Sequence, residues 1–154
     1  DVEFWIAGAD EAGGRGYRRE LEVEVGRLEL GSRVTFLGAV DSSEVRARLL
    51  SCHVFALPSL NEALGVAYME AMSCEVPTVG ADVGGVSELI RDGVDGRLVR
   101  PRNGPMLAET IAQIAKDPAL ALKFGRNGRA RVVSEFAAKG SADILMAEIL
   151  KADT

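Results

Sequence analysis

Short apolar runs alternate with longer amphipathic segments along most of this chain. The five strand-like runs are Val2–Gly8, Val34–Gly38, Val54–Leu57, Pro77–Gly80 and Arg97–Val99. The segments between them favour helices, several with apolar residues at three- to four-residue spacing. Nearly continuous apolar strands that alternate with helices are typical of a parallel sheet covered on both faces. The pattern therefore predicts an α/β fold with a doubly wound parallel sheet.

The helical segments give the expected organisation of the chain. They are Tyr17–Leu30, Asp41–Leu50, Gly65–Ser73, Val86–Ile90, Met106–Lys116, Ala119–Glu135 and Ser141–Lys151. Gly31 is predicted to end the first helix, and Asp41 to Glu44 provide capping residues for the second. We expect one domain over residues 1–154, with an α/β part at 1–104 and C-terminal helices at 105–154. In such sheets, ligands bind beyond the carboxyl ends of the strands, beside helix N-termini.

Composition and charge exclude several classes of function. With 18 Lys and Arg against 23 Asp and Glu, the net charge of −5 argues against a nucleic-acid partner, which requires a basic surface. Cys52 and Cys74 have neither a CxxC partner nor a histidine pair, so we expect free, buried thiols and no metal site. Because no apolar run is long enough to span a membrane and the N-terminus does not resemble a secretory signal, we expect a cytoplasmic protein.

The segment that follows the third strand contains the best candidate for a binding site. Gly65 allows close backbone approach, and Leu64 to Ala67 lie where an anion would meet a helix N-terminus. Glu62 precedes that helix and Glu70 lies one to two turns into it. Eight residues span about 12 Å along a continuous helix, which is too far for two carboxyl groups that share a proton. The spacing suits two contacts on one elongated ligand.

Glu70 is the residue in this segment that most needs a partner. Its helical neighbours at three and four residues are small or apolar: Val66, Ala67, Ser73 and Cys74. A carboxylate on such a stripe costs free energy unless something donates hydrogen bonds to it. Either a partner side chain or the hydroxyl groups of a ligand could do so, and the residues alone leave both possibilities open.

Other conspicuous residues receive structural interpretations. Gly84-Gly85 predicts a tight turn between a strand and a helix. Asp92-Gly93 and Asp95-Gly96 are also interpreted as turn formers. One group of cations on the penultimate helix is expected to form a solvated face: Arg126, Arg129 and Arg131.

These motifs together resemble the C-terminal, donor-binding domain of family 4-like GT-B glycosyltransferases, also described as glycosyl transferases group 1. The matching pattern is Pro58-Ser59, Glu62-x7-Glu70-Ala71-Met72, Cys74, Val76-Pro77, Val83-Gly84-Gly85, Glu88, Asp92-Gly93 and Gly96. The resemblance covers essentially the whole chain. It implies a Rossmann-like doubly wound parallel sheet with helices on both faces.

The resemblance also implies roles for the candidate site residues. Glu70 would accept hydrogen bonds from the ribose hydroxyls of a nucleotide, and Glu62 would contact hydroxyls of the donor sugar. The loop at Gly38 and Val40 would contact the base, largely through its main chain. The diphosphate or the sugar would be held by the backbone amides of Leu64, Gly65, Val66 and Ala67. The chain departs from the family at Ala63 and Ala67, where many members carry Gly and Pro.

The implied activity is transfer of a sugar from a nucleoside-diphosphate sugar to an acceptor hydroxyl, with retention of configuration. No metal and no cofactor other than the donor substrate is expected. The family's catalytic Arg and Lys, and its N-terminal acceptor domain, have no counterpart in this sequence, so the catalytic residues are unassigned and the isolated chain is expected to be inactive. We also expect that the chain can self-associate through an incomplete sheet. We expect that the parent enzyme can lie at the inner membrane face.

Two other kinds of function remain open. The domain could be a non-catalytic binding or interaction module, or part of an epimerase or phosphorylase of the same architecture. A module without nucleotide affinity would show no thermal stabilisation by nucleotide sugars, whereas a ligand that binds only the native state must raise its apparent stability. An epimerase or phosphorylase would differ in the products of the full-length enzyme.

Overall fold

The computed structural model describes residues 2–10 and 16–136. Its strands are β1 Phe4–Ala7, β2 Val34–Gly38, β3 Phe55–Leu57, β4 Thr78–Ala81 and β5 Arg97–Val99. Its helices are α1 Tyr17–Arg27, α2 Ser42–Ser51, α3 Val66–Ser73, α4 Val86–Leu89, α5 Gly104–Lys116 and α6 Pro118–Glu135. These elements confirm the predicted alternation of strands and helices. The predicted helix Ser141–Lys151 lies outside the described residues.

All strand pairings in the described residues are parallel, and they fall into two sets. Strand β1 pairs with β2, and strand β4 lies between β3 and β5. In the three-stranded set, Val79 of β4 is level with Ala56 of β3 and Arg97 of β5. Parallel neighbours need crossover connections, which the intervening helices supply. The predicted α/β architecture of parallel strands and helices is therefore confirmed.

The chain divides into two compact units, with the boundary between Val45 and Arg46. The first contains β1, α1 and β2, the second contains every element from β3 onward, and α2 crosses the boundary. Within the second unit, α5 packs on β4 and β5, and α6 packs on α3. The last helices therefore belong to the same unit as the three-stranded sheet. The expectation of one domain with an α/β part at 1–104 and C-terminal helices at 105–154 stays a prediction.

Strand β4 is the centre of the second unit, and all four of its residues are buried. Val79 packs on one side with Val99, Ile114 and Phe124. Gly80 faces the other side, where an added Cβ would lie 2.7 Å from Val86 and 3.0 Å from Tyr68. The second core cluster on that side comprises Tyr68, Met72, Val86, Leu89, Ile90 and Val132. Burial on both faces explains why three of the four residues of β4, Val79 to Ala81, have no polar side chain.

The end of helix α1 differs from the sequence prediction. The helix ends at Arg27, and the N–H of Leu30 donates to the carbonyl of Val25 at 3.0 Å. Glu29 takes the left-handed backbone conformation, with φ of 55°. The prediction that Gly31 ends this helix is wrong, because the closing hydrogen bond is already complete before the chain reaches that glycine.

Both cysteines are free and half-buried rather than fully buried. Burial raises the pKa of the Cys52 thiol, which keeps that group protonated near neutral pH. Over the described ranges, His, Cys, Asp and Glu side chains form no cluster that could hold a metal ion. No helix within the same ranges is long and apolar enough to cross a membrane.

Candidate functional site

The loop between β3 and α3 ends at Gly65, a position where any other residue would be strained. Gly65 precedes the first helical residue with φ of 77° and is buried. A Cβ at this position would lie 3.0 Å from Leu89 and 3.2 Å from Tyr68. The left-handed backbone and the close packing both require glycine here. Gly65 therefore fixes the N-terminus of α3 against the core, just beyond the carboxyl end of β3.

The side chain of Glu62 caps this helix N-terminus. Its Oε1 accepts a hydrogen bond from the Gly65 N–H at 2.9 Å and a longer one from the Leu64 N–H at 3.4 Å. A carboxylate in this place complements the partial positive charge of the helix end. Glu62 thus already occupies two of the amides that the sequence analysis assigned to the diphosphate or the sugar.

Two further amides at the same helix end have no acceptor. The N–H groups of Val66 and Ala67 open α3, where no intrahelical carbonyl can reach them, and no backbone or side-chain oxygen in the described residues accepts from either. The Leu64 and Val66 side chains beside them are exposed. Leu64, Gly65, Val66 and Ala67 therefore form one run of backbone donors, of which the last two are free within the described residues. Their contact with a ligand stays a prediction.

Glu70 lies further along the same helix, and its side chain is exposed. No side chain or backbone donor within residues 2–10 or 16–136 forms a hydrogen bond or an ion pair with the Glu70 carboxylate. Of the two possibilities that the sequence left open, a partner side chain is therefore absent from this part of the chain. The carboxylate has its full accepting capacity available to a ligand.

The Gly84-Gly85 turn between β4 and α4 holds the loop that carries Glu62. The Gly85 N–H donates to the carbonyl of Glu62 at 3.0 Å. An added Cβ at Gly84 would lie 2.3 Å from that carbonyl oxygen, and one at Gly85 would lie 2.2 Å from the carbonyl oxygen of Ala63. The predicted tight turn is confirmed, and its tightness serves to let the Glu62–Ala63 backbone approach.

Tyr68 is a supporting residue that the sequence analysis did not single out. It is fully buried, its hydroxyl donates to the carbonyl of Leu57, and its ring meets Phe55 edge to face with centroids 5.6 Å apart. Burial, helped by the nearby Glu62 carboxylate, raises the pKa of Tyr68 to about 12. The neutral phenol ties α3 to the end of β3. Its place as the one aromatic residue of α3 was the available signal.

A cleft of about 270 Å³ lies at the carboxyl ends of the three-stranded sheet. Its apolar walls are Pro58, Leu60, Ala81, Val99, Pro101 and Leu107. Arg100 and Arg102 also line it, and both are exposed. The sequence analysis did not predict this cleft, because its lining residues come from three separate strand ends and from the start of α5.

The predicted turn at Asp92–Gly96 is held by more than local preference. Asp95 is completely buried, and its carboxylate accepts from the N–H of Arg91 at 2.7 Å and from Nε of the same residue at 2.5 Å. Asp92 accepts from the Leu98 N–H at 2.9 Å. Both aspartates therefore act as hydrogen-bond acceptors that fix the chain between α4 and β5.

The prediction of a solvated face is wrong for Arg131. Its side chain is only 10% exposed and donates to the carbonyls of Leu89 at 2.8 Å and Glu88 at 2.7 Å. Arg129 is exposed, as predicted, and lies 3.7 Å from the Glu75 carboxylate. The difference arises because α6 packs across the end of α4, where unpaired carbonyls attract a cation.

The predicted base-binding residues lie in the first compact unit. Gly38 ends β2 with φ of 71°, and its carbonyl accepts from the Gly8 N–H at 2.8 Å. Val40 is half-buried two residues later. The contact of this loop with a nucleotide base stays a prediction.

Known glycosyltransferases are similar to this chain over nearly its full length. It is 30% identical over 145 residues to the alpha-D-kanosaminyltransferase of Streptomyces kanamyceticus, and the match covers 94% of this chain and 36% of that protein. It is 34% identical over 126 residues to the lipopolysaccharide core biosynthesis mannosyltransferase LpcC of Rhizobium leguminosarum bv. viciae, covering 82% of this chain and 35% of that protein. The chain thus spans about a third of the length of these relatives.

Solved structures show the same relationship. The sucrose-phosphate synthase of Thermosynechococcus elongatus matches 96% of this chain and 38% of its own, with a TM-score of 0.85 and 31% identity. The Anabaena protein HepE in complex with UDP-glucose matches 98% of this chain and 41% of its own, with a TM-score of 0.88 and 30% identity.

The C-terminal domain of a glycosyl transferase group 1 protein from Francisella tularensis is also similar. It matches 80% of this chain and 64% of its own, with a TM-score of 0.73 and 25% identity. The family model for glycosyl transferases group 1 matches residues 1–131, which is most of the sequence. The chain therefore belongs to the glycosyl transferases group 1 family, whose GT-B fold it shares.

Proposed function

We propose that this chain binds the nucleotide-sugar donor of a retaining glycosyltransferase, which transfers a sugar from a nucleoside diphosphate to an acceptor hydroxyl. The observation that carries the proposal is the exposed carboxylate of Glu70, which has no partner among residues 2–10 and 16–136, on a helix whose first two amides have no acceptor in the same ranges. A 30% identical structure that contains UDP-glucose supports it.

The geometry suits the parts of such a donor. The Glu70 carboxylate can accept hydrogen bonds from two neighbouring ribose hydroxyls, because an ionised carboxylate has only acceptor sites. The free N–H groups of Val66 and Ala67 suit a phosphate oxygen, since a helix N-terminus attracts anions. Glu62 lies beside them on the amides of Leu64 and Gly65, and we assign it to the hydroxyls of the sugar.

The same helix end would support the reaction. Negative charge develops on the diphosphate as the bond to the sugar breaks, and fixed N–H groups aimed at that charge stabilise the transition state. In our proposal, the acceptor site and further cationic groups come from other parts of the parent enzyme, so this chain alone binds the donor without transferring the sugar. No metal ion is needed in this arrangement.

Calorimetric titration with UDP, GDP and ADP tests the proposal. We expect the chain to bind one of these nucleotides, and Glu70→Gln to weaken that binding by about 10- to 100-fold, because a hydrogen bond to a charged acceptor contributes about 1.5–3 kcal/mol. Glu109→Gln is the matched control, since Glu109 is an exposed carboxylate on a different helix, α5. Equal affinities of wild type and Glu70→Gln would overturn the ribose assignment.

A further inference from the structure

We propose that Glu62 is a placeholder that leaves its amides when the donor binds, and that this exchange makes the site prefer a sugar-bearing donor over the bare nucleoside diphosphate. The inference rests on the donor-binding function proposed above. It assigns to Glu62 a role in selecting the ligand, in addition to any contact with the sugar.

The placeholder occupies part of a continuous run of donors. Glu62 Oε1 accepts from the Gly65 N–H at 2.9 Å and the Leu64 N–H at 3.4 Å, while the next two amides, of Val66 and Ala67, have no acceptor in the described residues. A phosphate seated on the free amides would therefore lie next to the Glu62 carboxylate. Two negative charges at that separation repel each other, so the bare diphosphate and the capped state of Glu62 disfavour each other.

Contacts with the turn between β4 and α4 restrain the backbone that carries Glu62. The Gly85 N–H donates to the Glu62 carbonyl at 3.0 Å, and the carbonyls of Glu62 and Ala63 lie where a Cβ on Gly84 or Gly85 would be. The loop is pressed against the turn between β4 and α4 with no room for an added methyl group. The side-chain torsions of Glu62 are the degrees of freedom that remain.

When the Glu62 side chain leaves the helix end, two sets of groups lose their hydrogen-bond partners, and the ligand must replace those partners. The Gly65 and Leu64 amides lose their acceptor, and the carboxylate loses its donors. A nucleoside diphosphate can supply acceptors to the amides, but only an attached sugar brings hydroxyl donors to the displaced carboxylate. In the sugar-bearing complex the displaced carboxylate pairs with hydroxyl donors of the ligand, whereas with the diphosphate alone it pairs only with water and lies beside the negative charge of the ligand.

Titration of Glu62 variants tests this role. The probes are UDP and UDP-glucose, or GDP with GDP-mannose or ADP with ADP-glucose, whichever pair wild type binds. We expect Glu62→Ala to bind the bare diphosphate about 3- to 10-fold tighter than wild type and the sugar conjugate no tighter, so that the preference for the conjugate falls. Glu62→Gln keeps an acceptor for Gly65 without the charge, and its preference should fall between the two.

Controls separate this inference from the function on which it rests. Glu109→Ala removes an exposed carboxylate from a different helix, α5, and should leave both affinities unchanged. If wild type binds nucleotide and Glu70→Gln weakens it, but Glu62→Ala leaves the bare diphosphate unchanged or weaker, the placeholder role is overturned and donor binding stands. Absence of nucleotide binding by wild type overturns both. Melting curves identify a Glu62→Ala chain that has lost its fold, in which case Glu62→Gln decides.

Discussion

The two compact units are built from the same kinds of element, yet they bury their side chains to very different depths. None of the described residues of the first unit is buried, and Phe4, Trp5 and Val23 are 46%, 38% and 65% exposed. In the second unit, every residue of β4 is buried. The comparison teaches that alternation of strand and helix determines which elements form, whereas coverage of both sheet faces determines where the stabilising core lies.

The largest test of this comparison removes a leucine from each unit. Leu89 on α4 is 1% exposed and belongs to a core cluster, whereas Leu28 at the end of α1 is 47% exposed. We expect Leu89→Ala to lower the free energy of unfolding by about 2–5 kcal/mol, because it leaves a cavity. Leu28→Ala should cost less than about 0.5 kcal/mol. Denaturant titration measures both, and similar losses would break the comparison.

Two helical glycines, one in each unit, sharpen the comparison, because their substitution should change stability in opposite directions. A Cβ at Gly125 of α6 would lie 2.1 Å from the carbonyl oxygen of Glu75, whereas one at Gly26 of α1 would have no neighbour within 4 Å. Gly125→Ala should therefore destabilise the chain by about 1–3 kcal/mol through overpacking. Gly26→Ala should stabilise it by about 0.5–1 kcal/mol, since alanine restricts the unfolded chain. Thermal melts give the sign of each change, and a stabilising Gly125→Ala would contradict the packing of α6.

A pair of tyrosines gives the smallest effect at neutral pH and adds a pH dependence. Tyr68→Phe loses the hydrogen bond to Leu57, and we expect a cost of about 1 kcal/mol. Tyr17 is 63% exposed, and Tyr17→Phe should change stability by less than about 0.5 kcal/mol.

The pH dependence follows from the direction of the Tyr68 shift. The fold raises the pKa of this phenol from 10.0 to about 12, so the folded state holds its proton more tightly than the unfolded state. The contribution is fully present below pH 10 and is lost as the pH rises toward 12. Denaturant titrations from pH 9 to about pH 12 should show a steeper loss in wild type than in Tyr68→Phe. Parallel curves would exclude this contribution.

Local features of the fold were predictable from the sequence because their causes are local. Apolar spacing located the strands and helices, and Asp41 caps α2 as predicted, accepting from the Glu44 N–H at 2.9 Å. The roles of Arg131 and Asp95 were not predictable in the same way. Arg131 meets carbonyls that lie 42 and 43 residues earlier, and no short-range pattern reports such a meeting.

In the candidate site, too, the local features were predictable from the sequence and the long-range contacts were not. The sequence placed Glu62, Gly65 and Glu70 around one helix N-terminus, because strand end, glycine and helix are consecutive. That Glu62 caps the helix could have been inferred from the preference for acceptors just before a helix start. The bracing by Gly84 and Gly85 required knowledge of which loops meet in space, although the glycine pair itself marked a turn.

The long reach of Arg131 also has a consequence for the order in which the chain is made. Leu89 leaves the ribosome 42 residues before Arg131, an interval of roughly 2–8 s at ordinary rates of synthesis. During that time, the carbonyls at the end of α4 have only water or transient partners. The end of α4, which follows the turn that braces the Glu62 loop, can therefore complete its hydrogen bonds only after Arg131 has been synthesised.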